Sequence, residues 1–274
     1  MNLSRTSAAA VIATLGLVVG GGGVALAGTA GRPAPRANPG GYGGSAPADI
    51  PNLGLVKTQI KAYYGDDGTT DSNPKLGSRY AKDVHRMRTV AYGALPRLIR
   101  DADADPVVLV DVDDTTLSNY RYDATHDFGY DPVANAAYIH DVGMPAVFGM
   151  PRLLRTASAK AEVYYLTGRP ETQRADTARD LQRAGYPDVT AADTSHLFMR
   201  NKANPPAYLP CEKPAATPAT YCTTVEYKSL TRKHIESLDG GQDIVLNIGD
   251  QFSDLAGGYA DRRLKVPNPM YFLP

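Results

Sequence analysis

The sequence has 274 residues, of which 43% are hydrophobic and 21% are charged. This composition is typical of a globular protein and excludes a collagen, a coiled coil, a multi-span membrane protein and a wholly disordered chain. Lys and Arg total 29 and Asp and Glu total 29, so the chain lacks the broad basic field that binding to a nucleic-acid polymer requires. Two cysteines are too few for a four-cysteine zinc site or a disulfide-rich scaffold.

The first 52 residues are predicted to lie outside the folded domain. A positive start precedes an apolar run over 8–19, four glycines, and the small residues of Ala25-Leu26-Ala27, which predicts a cleaved signal peptide over 1–27. An uncleaved anchor is the alternative, but a membrane span needs about 20 apolar residues, and the glycines interrupt this run. Residues 28–52 are predicted to be a flexible Gly/Pro-rich leader, followed by one domain over 53–274. We therefore expect a secreted protein without a stable membrane anchor after cleavage.

Helices and strands are predicted to alternate within that domain. The predicted elements are, in chain order, helices over 53–64 and 76–98, a strand over 107–110, a helix over 152–160, a strand over 162–166, a helix over 171–184, a short strand over 196–199, a helix over 228–238, a strand over 243–248 and an edge strand over 263–266. Continuous apolar runs such as 107–110 are typical of buried parallel strands. Strands that alternate with helices predict an α/β fold, a parallel sheet with helices on both faces.

Polar motifs follow three of the predicted strands. The residues of interest are Asp111, Asp113, Thr167, Lys228, Asp250 and Asp254. The carboxyl ends of parallel strands form the ligand-binding edge of such a sheet, so we expect these side chains to meet there. Like charges placed together are costly unless a cation neutralises them. Each motif alone has an ordinary structural explanation, namely an acidic helix cap, a Thr-Gly turn or a solvated lysine. Their order along the chain is the stronger signal.

In this order, Asp-x-Asp-x-Thr, Thr-Gly, Lys and Gly-Asp-x-x-x-Asp resemble the four motifs of the haloacid dehalogenase-like (HAD) superfamily of phosphotransferases. The segments over 113–119, 226–229, 249–255 and 265–271 resemble in particular subfamily IIIB, which includes plant acid phosphatases and vegetative storage proteins. Phe252 stands where the subfamily pattern has Trp, which keeps an aromatic side chain. The resemblance covers residue 53 to the end and implies a three-layer, Rossmann-like HAD core with N-terminal helices and a small helical cover.

The resemblance also implies an activity, that of a secreted Mg²⁺-dependent acid phosphatase acting on small phosphomonoesters through an aspartyl-phosphate. Asp111 would be the nucleophile, and Asp113 would be first the general acid and then the general base. Thr167 and Lys228 would hold the phosphoryl oxygens of the substrate. Phosphoryl transfer depends mainly on positioning and charge neutralisation, which a hard cation with oxygen ligands supplies.

The implied Mg²⁺ ligands are Asp111, Asp250 and the backbone carbonyl of Asp113, with Asp254 supporting the ion directly or through water. A non-catalytic storage or binding protein on the same fold is one alternative, against which the presence of Asp111 argues. A phosphotransferase that passes the phosphoryl group to an alcohol is another. The particular phosphomonoester, the pH optimum and the oligomeric state are left open by the sequence.

The cysteines and the aromatic-rich segment of the sequence lead to further predictions. Cys211 and Cys222 are predicted to form a disulfide, as is usual in exported proteins, with free or metal-binding thiols as the alternative. The aromatic-rich segment over 118–150 is a candidate cover whose rings stack on a nucleoside or aryl leaving group, or else it packs against the helix over 76–98. His126 and His140 are candidates for the substrate entrance, with surface or core positions as the default.

Overall fold

Five parallel strands form the centre of the domain in the order β3-β2-β1-β4-β5, in a computed structural model that describes residues 50–68, 73–214 and 219–274. The strands are β1 (Asp105–Val110), β2 (Glu162–Pro170), β3 (Leu197–Arg200), β4 (Gln242–Gly249) and β5 (Arg263–Lys265). All five were predicted at these positions, and the parallel sheet confirms the predicted α/β class.

Helices connect the strands on both sides of the sheet. They are α1 (Leu53–Tyr64), α2 (Arg79–Arg100), α3 (Tyr120–Thr125), α4 (Pro132–Val142), α5 (Met150–Ser158), α6 (Arg174–Arg183), α7 (Thr224–Ile235) and α8 (Phe252–Leu255), with 3-10 turns at Glu171–Gln173 and Leu238–Gly240. The predicted helix over 171–184 therefore divides into a 3-10 turn and α6.

The two faces of the sheet carry separate apolar clusters. Because successive strand residues point to opposite faces, Val108 and Val110 of β1 join one cluster, which includes residues of α2 and α5. Val107 and Leu109 join the other, which includes residues of α7. Helix layers thus cover the buried part of the central strand, residues 107–110, from both sides, which gives the predicted three layers.

The N-terminal helices form largely where apolar spacing predicts them. Helix α1 has the predicted bounds, and the Asn52 side chain caps it by accepting a hydrogen bond from the backbone N–H of Leu55. Helix α2 begins three residues later than predicted, because Ser78 caps its first turn through the N–H of Ala81. Leu76 lies outside the helix and is 81% exposed, so its place on the buried face was predicted wrongly.

The prediction that Lys228 opens a helix is wrong, because α7 begins four residues earlier. Thr223 and Glu226 form a capping box in which each side chain bonds the backbone N–H of the other, a strong helix-start signal. Lys228 therefore lies in the second turn. This placement brings it deeper over the sheet, where it is 3% exposed.

The segment over 118–150 contains the two helices α3 and α4. Tyr120 is fully buried and stacks on Tyr64 of α1 at a ring-centroid distance of 4.2 Å. Tyr122 is also buried and stacks on His126 at 4.2 Å. Core packing thus explains these rings, although the stacking partner of Tyr120 lies on α1 rather than on α2. Tyr130, by contrast, is 75% exposed.

Cys211 and Cys222 form the predicted disulfide. His140 bonds Asp176 at 3.0 Å on the surface. The predicted signal peptide and residues 28–49 of the predicted leader lie outside the described residues. Within the described part of the chain, no helix is both long and apolar enough to cross a membrane.

Candidate active site

A tight turn follows β1 and carries the first motif. The N–H of Asp111 still pairs with the carbonyl of Ile248 in β4 at 2.9 Å, which extends the sheet by one residue. The chain then reverses, and Asp114 takes a left-handed conformation with φ of 54°. The carbonyl of Val112 accepts the N–H groups of both Thr116 and Leu117. The ladder and the turn therefore fix Asp111 at the carboxyl edge of the sheet.

Lys228 joins two of the predicted acidic residues. Its Nζ lies 2.5 Å from Oδ1 of Asp111 and 3.0 Å from Oδ1 of Asp254, and it also donates to the carbonyl of Leu166 at 2.6 Å. Burial disfavours the ammonium form, but the charges of Asp111 and Asp254 outweigh burial and raise the pKa of Lys228. Lys228 is therefore a permanent positive charge at the centre of the site.

Asp250 and Asp254 are delivered by the loop that follows β4. Gly249 precedes them, and a Cβ at this position would lie 2.5 Å from the Cβ of Asp254, so only glycine permits the close approach. Asp254 accepts the N–H of Gln251 at 3.0 Å and closes the loop back on itself. This packing directs both carboxylates toward the end of β1.

The carboxylates of Asp111, Asp250 and Asp254 form a buried cluster in which one oxygen from each lies within 4.8 Å of the others. Burial and the neighbouring charge of Asp254 raise the pKa of Asp111 well above its ordinary value and raise the pKa of Asp250 to about 7. In the described residues Lys228 is the one cation in ion-pair contact with the cluster. Three ionised carboxylates and one ammonium leave a net charge of −2.

This donor set fits a divalent cation. Carboxylate oxygens are ligands that hard cations such as Mg²⁺ prefer, and a charge of +2 would balance the net charge of the cluster. Burial and uncompensated neighbouring carboxylates both raise the pKa of a carboxyl group, as they do for Asp111 and Asp250. All three carboxylates are needed for this fit, because two carboxylates with Lys228 would have a net charge of only −1.

The carboxylate of Asp113 is not part of this cluster, because Arg169 holds it. The guanidinium Nη2 lies 2.7 Å from Oδ1 and its Nε lies 3.0 Å from Oδ2. Asn119 donates to Oδ1 at 2.6 Å, and the Thr167 hydroxyl lies 3.4 Å from Oδ2. Burial opposes ionisation of Asp113, but the charge and hydrogen bonds of Arg169, aided by Asn119, lower its pKa.

The structure therefore brings all six predicted site residues to one edge of the sheet, in two linked groups. One is the acidic cluster with Lys228, and the other is Asp113 with Thr167. Sequence reasoning assigned no role to Arg169 or Asn119, which hold Asp113. Asn119 lies in the segment over 113–119 that carried the family resemblance, and Arg169 directly follows the Thr-Gly motif. That adjacency was the available signal.

A family model described as HAD superfamily, subfamily IIIB (acid phosphatase), matches residues 66–274. The chain belongs to this family. An acid phosphatase is a hydrolase of phosphomonoesters, so this HAD acid phosphatase is a phosphomonoesterase. The match begins just after α1, extends to the last residue and includes all six site residues, which confirms the predicted family.

Similar proteins come from several plants. Acid phosphatase 1 of Solanum lycopersicum is 29% identical over 203 residues, covering 72% of this chain and 71% of that protein. The stem 28 kDa glycoprotein of Glycine max is 27% identical over 205 residues, with 72% and 71% covered. Vegetative storage protein 2 of Arabidopsis thaliana is 28% identical over 233 residues, with 83% and 77% covered.

The fold is similar to that of a solved bacterial enzyme. The class C acid phosphatase from Bacillus anthracis, with tungstate bound, aligns with a TM-score of 0.55 at 21% identity, covering 80% of this chain and 86% of that one. This similarity supports the three-layer HAD core.

Proposed function

We propose that this HAD acid phosphatase hydrolyses small phosphomonoesters in a Mg²⁺-dependent reaction through a phosphorylated Asp111. The observation that carries the proposal is the convergence of three buried carboxylates and Lys228 at the carboxyl edge of the sheet. Asp113 lies two residues from Asp111 with a separate set of partners. Two carboxylates with different surroundings are suited to different chemical tasks.

In the first step, an oxygen of Asp111 attacks phosphorus, so that a new P–O bond forms while the bond to the leaving oxygen breaks. Protonated Asp113 transfers its proton to that oxygen, which leaves as an alcohol. Lys228 already lies within 2.5 Å of Asp111, so its ammonium neutralises charge where the phosphoryl group arrives. Thr167 lies beside Asp113 and donates its hydroxyl to a phosphoryl oxygen.

In the second step, Asp113 takes a proton from water as the water oxygen attacks phosphorus. The bond between phosphorus and the Asp111 oxygen breaks, which releases inorganic phosphate and regenerates the carboxylate. Arg169 and Asn119 hold Asp113 in its ionised form, which is the form that this base step requires. The proton taken from water leaves Asp113 protonated, which is the form that the acid step of the next cycle requires.

Asp111, Asp250 and Asp254 would hold the Mg²⁺ ion, with the backbone carbonyl of Asp113 as a further ligand. When bound, the ion supplies charge neutralisation that lets an anionic carboxylate approach an anionic phosphate. Asp254 also bonds Lys228 at 3.0 Å, so this carboxylate links the cation site to the phosphoryl-binding lysine.

The roles of the two leading carboxylates are separable by mutation. Asp111→Asn should abolish phosphorylation with every substrate, because an amide is a poor nucleophile. Asp113→Asn should slow cleavage of alkyl phosphates by about 10²–10⁴-fold, the range of general acid catalysis, but slow p-nitrophenyl phosphate far less, since its leaving group departs largely unaided. Single-turnover phosphorylation is the measurement. Asp127→Asn, an exposed surface change, is the control and should match the native rate.

Equal losses for both leaving groups in Asp113→Asn would exclude the acid role. Full activity in Asp111→Asn would overturn the nucleophile assignment. Chelation should abolish turnover and added Mg²⁺ should restore it, whereas undiminished activity in a verified metal-free preparation would exclude the metal-dependent mechanism. An alcohol acceptor included in these assays distinguishes transfer from hydrolysis, since a phosphotransferase forms a new ester at the expense of inorganic phosphate.

The proposed setting of this reaction is outside the cytosol. The Cys211–Cys222 disulfide is typical of proteins in oxidising compartments, and the pattern over 1–27 is that of a signal peptide. The proposed mature enzyme therefore consists of a leader over 28–52 and the phosphatase domain over 53–274. Mass spectrometry of the culture fluid should find a chain that begins at Gly28, whereas only intact, membrane-bound chains from Met1 would contradict export.

A further inference from the structure

The chain after β5 lies directly beside the Asp250 loop. The N–H of Val266 donates to the carbonyl of Gly249 at 2.8 Å, so the pairing of β5 with β4 continues up to the residue before Asp250. Val266 is fully buried and Met270 is 8% exposed, which anchors the residues between them. We call residues 266–274 the C-terminal tail.

Asn268 in this tail makes a direct bond to a proposed metal ligand. Its Nδ2 donates to Oδ2 of Asp250 at 2.6 Å, while its Oδ1 accepts the N–H of Met270 at 2.8 Å. The second bond fixes which end of the amide faces the carboxylate, because only the oxygen can accept from a backbone N–H. The tail thus presents a donor, and not an acceptor, to Asp250.

The hydrogen bonds of Asp250 are distributed unevenly between its two oxygens. Oδ2 accepts both the Asn268 amide and the Gln251 Nε2, at 2.6 and 2.7 Å. Oδ1 has one longer partner in the described residues, the Thr115 hydroxyl at 3.3 Å. Asp250 is 2% exposed, so hydrogen bonds from solvent do not remove this difference between the two oxygens. Oδ1 therefore has the greater acceptor capacity left for a cation.

The second donor to Asp250 is itself held by the tail. The Gln251 side chain accepts the N–H of Leu273 at 3.2 Å through Oε1. Ser253 donates its hydroxyl to the carbonyl of Leu273 at 3.1 Å, which ties the tail to α8 without contact to the acidic cluster. Both amides on Oδ2 of Asp250 thus depend on the tail.

We propose that Asn268 is a positioning residue for the metal site: with Gln251 it occupies Oδ2 of Asp250 and orients the carboxylate to bind the cation through Oδ1 alone. This inference rests on the metal site of the proposed function. Mg²⁺ demands near-ideal octahedral geometry, so a ligand that is free to rotate or to bind through both oxygens binds the ion less tightly. Residues that hold metal ligands typically contribute 10–100-fold to metal affinity.

The test is the cation affinity of the phosphate-free protein, measured without turnover. Mn²⁺ is titrated and the loss of the free-ion electron paramagnetic resonance signal is followed, with Mg²⁺ as competitor. Asn268→Leu removes the amide donor at similar size, and Asn268→Ala removes it without added bulk. Ser253→Ala is the matched control, because it removes a bond between the same tail and α8 but removes no donor to Asp250.

We expect the dissociation constant of both Asn268 variants to rise by about 10–100-fold, and that of Ser253→Ala to stay within about twofold of native. Far-ultraviolet circular dichroism verifies that each variant is folded, and the Ala variant decides the question if the Leu variant is not. Native affinity in a folded Asn268 variant would overturn this inference alone. Equal weakening in Ser253→Ala would also overturn it, since general loosening of the tail would then suffice. No cation binding by the native protein would overturn the proposed metal site itself.

Discussion

Replacing Lys228 by Met should destabilise the metal-free protein strongly. The substitution keeps an unbranched apolar stem but removes an ammonium that is 3% exposed and contacts Asp111, Asp254 and the carbonyl of Leu166 within 3.0 Å. The ionised acidic cluster would then carry −3 instead of −2. Removing one partner from a buried ion pair costs about 3–5 kcal/mol. For a domain of this size, that cost lowers Tm by roughly 6–20 °C at 2–4 °C per kcal/mol.

Differential scanning calorimetry in chelator and in excess Mg²⁺ measures the effect. Mg²⁺ should raise the Tm of Lys228→Met by more than it raises the native Tm, because the cation binds a more negative cluster and stabilises only the folded state. Lys233→Met is the control, since it makes the same change at an exposed position of α7 and should alter stability by less than about 0.5 kcal/mol. A metal-free Lys228→Met protein with the native Tm would refute this account of the cluster, as would an equal response to Mg²⁺ in the variant and the native protein.

Two further predictions concern the disulfide and the residue that holds Asp113. Replacing Cys211 and Cys222 together by Ser should lower the free energy of unfolding by about 2–3 kcal/mol in the chain-entropy model, and denaturant titration showing no change would contradict a stabilising bridge. Arg169→Leu should slow the phosphorylation step more for alkyl phosphates than for p-nitrophenyl phosphate, because it releases Asp113, while Arg169→Lys should retain part of the native rate. A loss that is the same for both leaving groups would mean that Arg169 does not act through Asp113.

The motifs could be predicted from the sequence because each depends on the chemistry of neighbouring residues. Apolar runs bounded by turns identified the central strands, and α1 has the predicted bounds. A carboxylate or hydroxyl directly after such a run lies at the carboxyl edge of a parallel sheet, so Asp111, Thr167 and Asp250 were placed correctly from the chain alone. The family resemblance depended on the same residues, and the family model confirms it.

The first residues of helices were predicted less well where a capping side chain, and not the spacing of apolar residues, decides the start. The start of α7 was placed at Lys228, although Thr223 and Glu226 form the capping box that begins the helix. Likewise, the spacing of apolar residues predicted that Leu76 belongs to α2, whereas Ser78, two residues later, caps the helix. In both cases a side chain bonded to a backbone N–H decides where the helix begins.

By itself, the sequence determined the fold class, the family and the residues at the carboxyl edge of the sheet, since these follow from short local patterns and from the order of those patterns along the chain. Only the tertiary structure decided which side chains pair. Arg169 bonds Asp113 from 56 residues away, Lys228 bonds Asp111 from 117 residues away, and Asn268 approaches Asp250 only because β5 pairs beside β4. Such contacts follow from strand order and from the path of the C-terminal tail, and no local pattern encodes the distance between residues that the fold brings together.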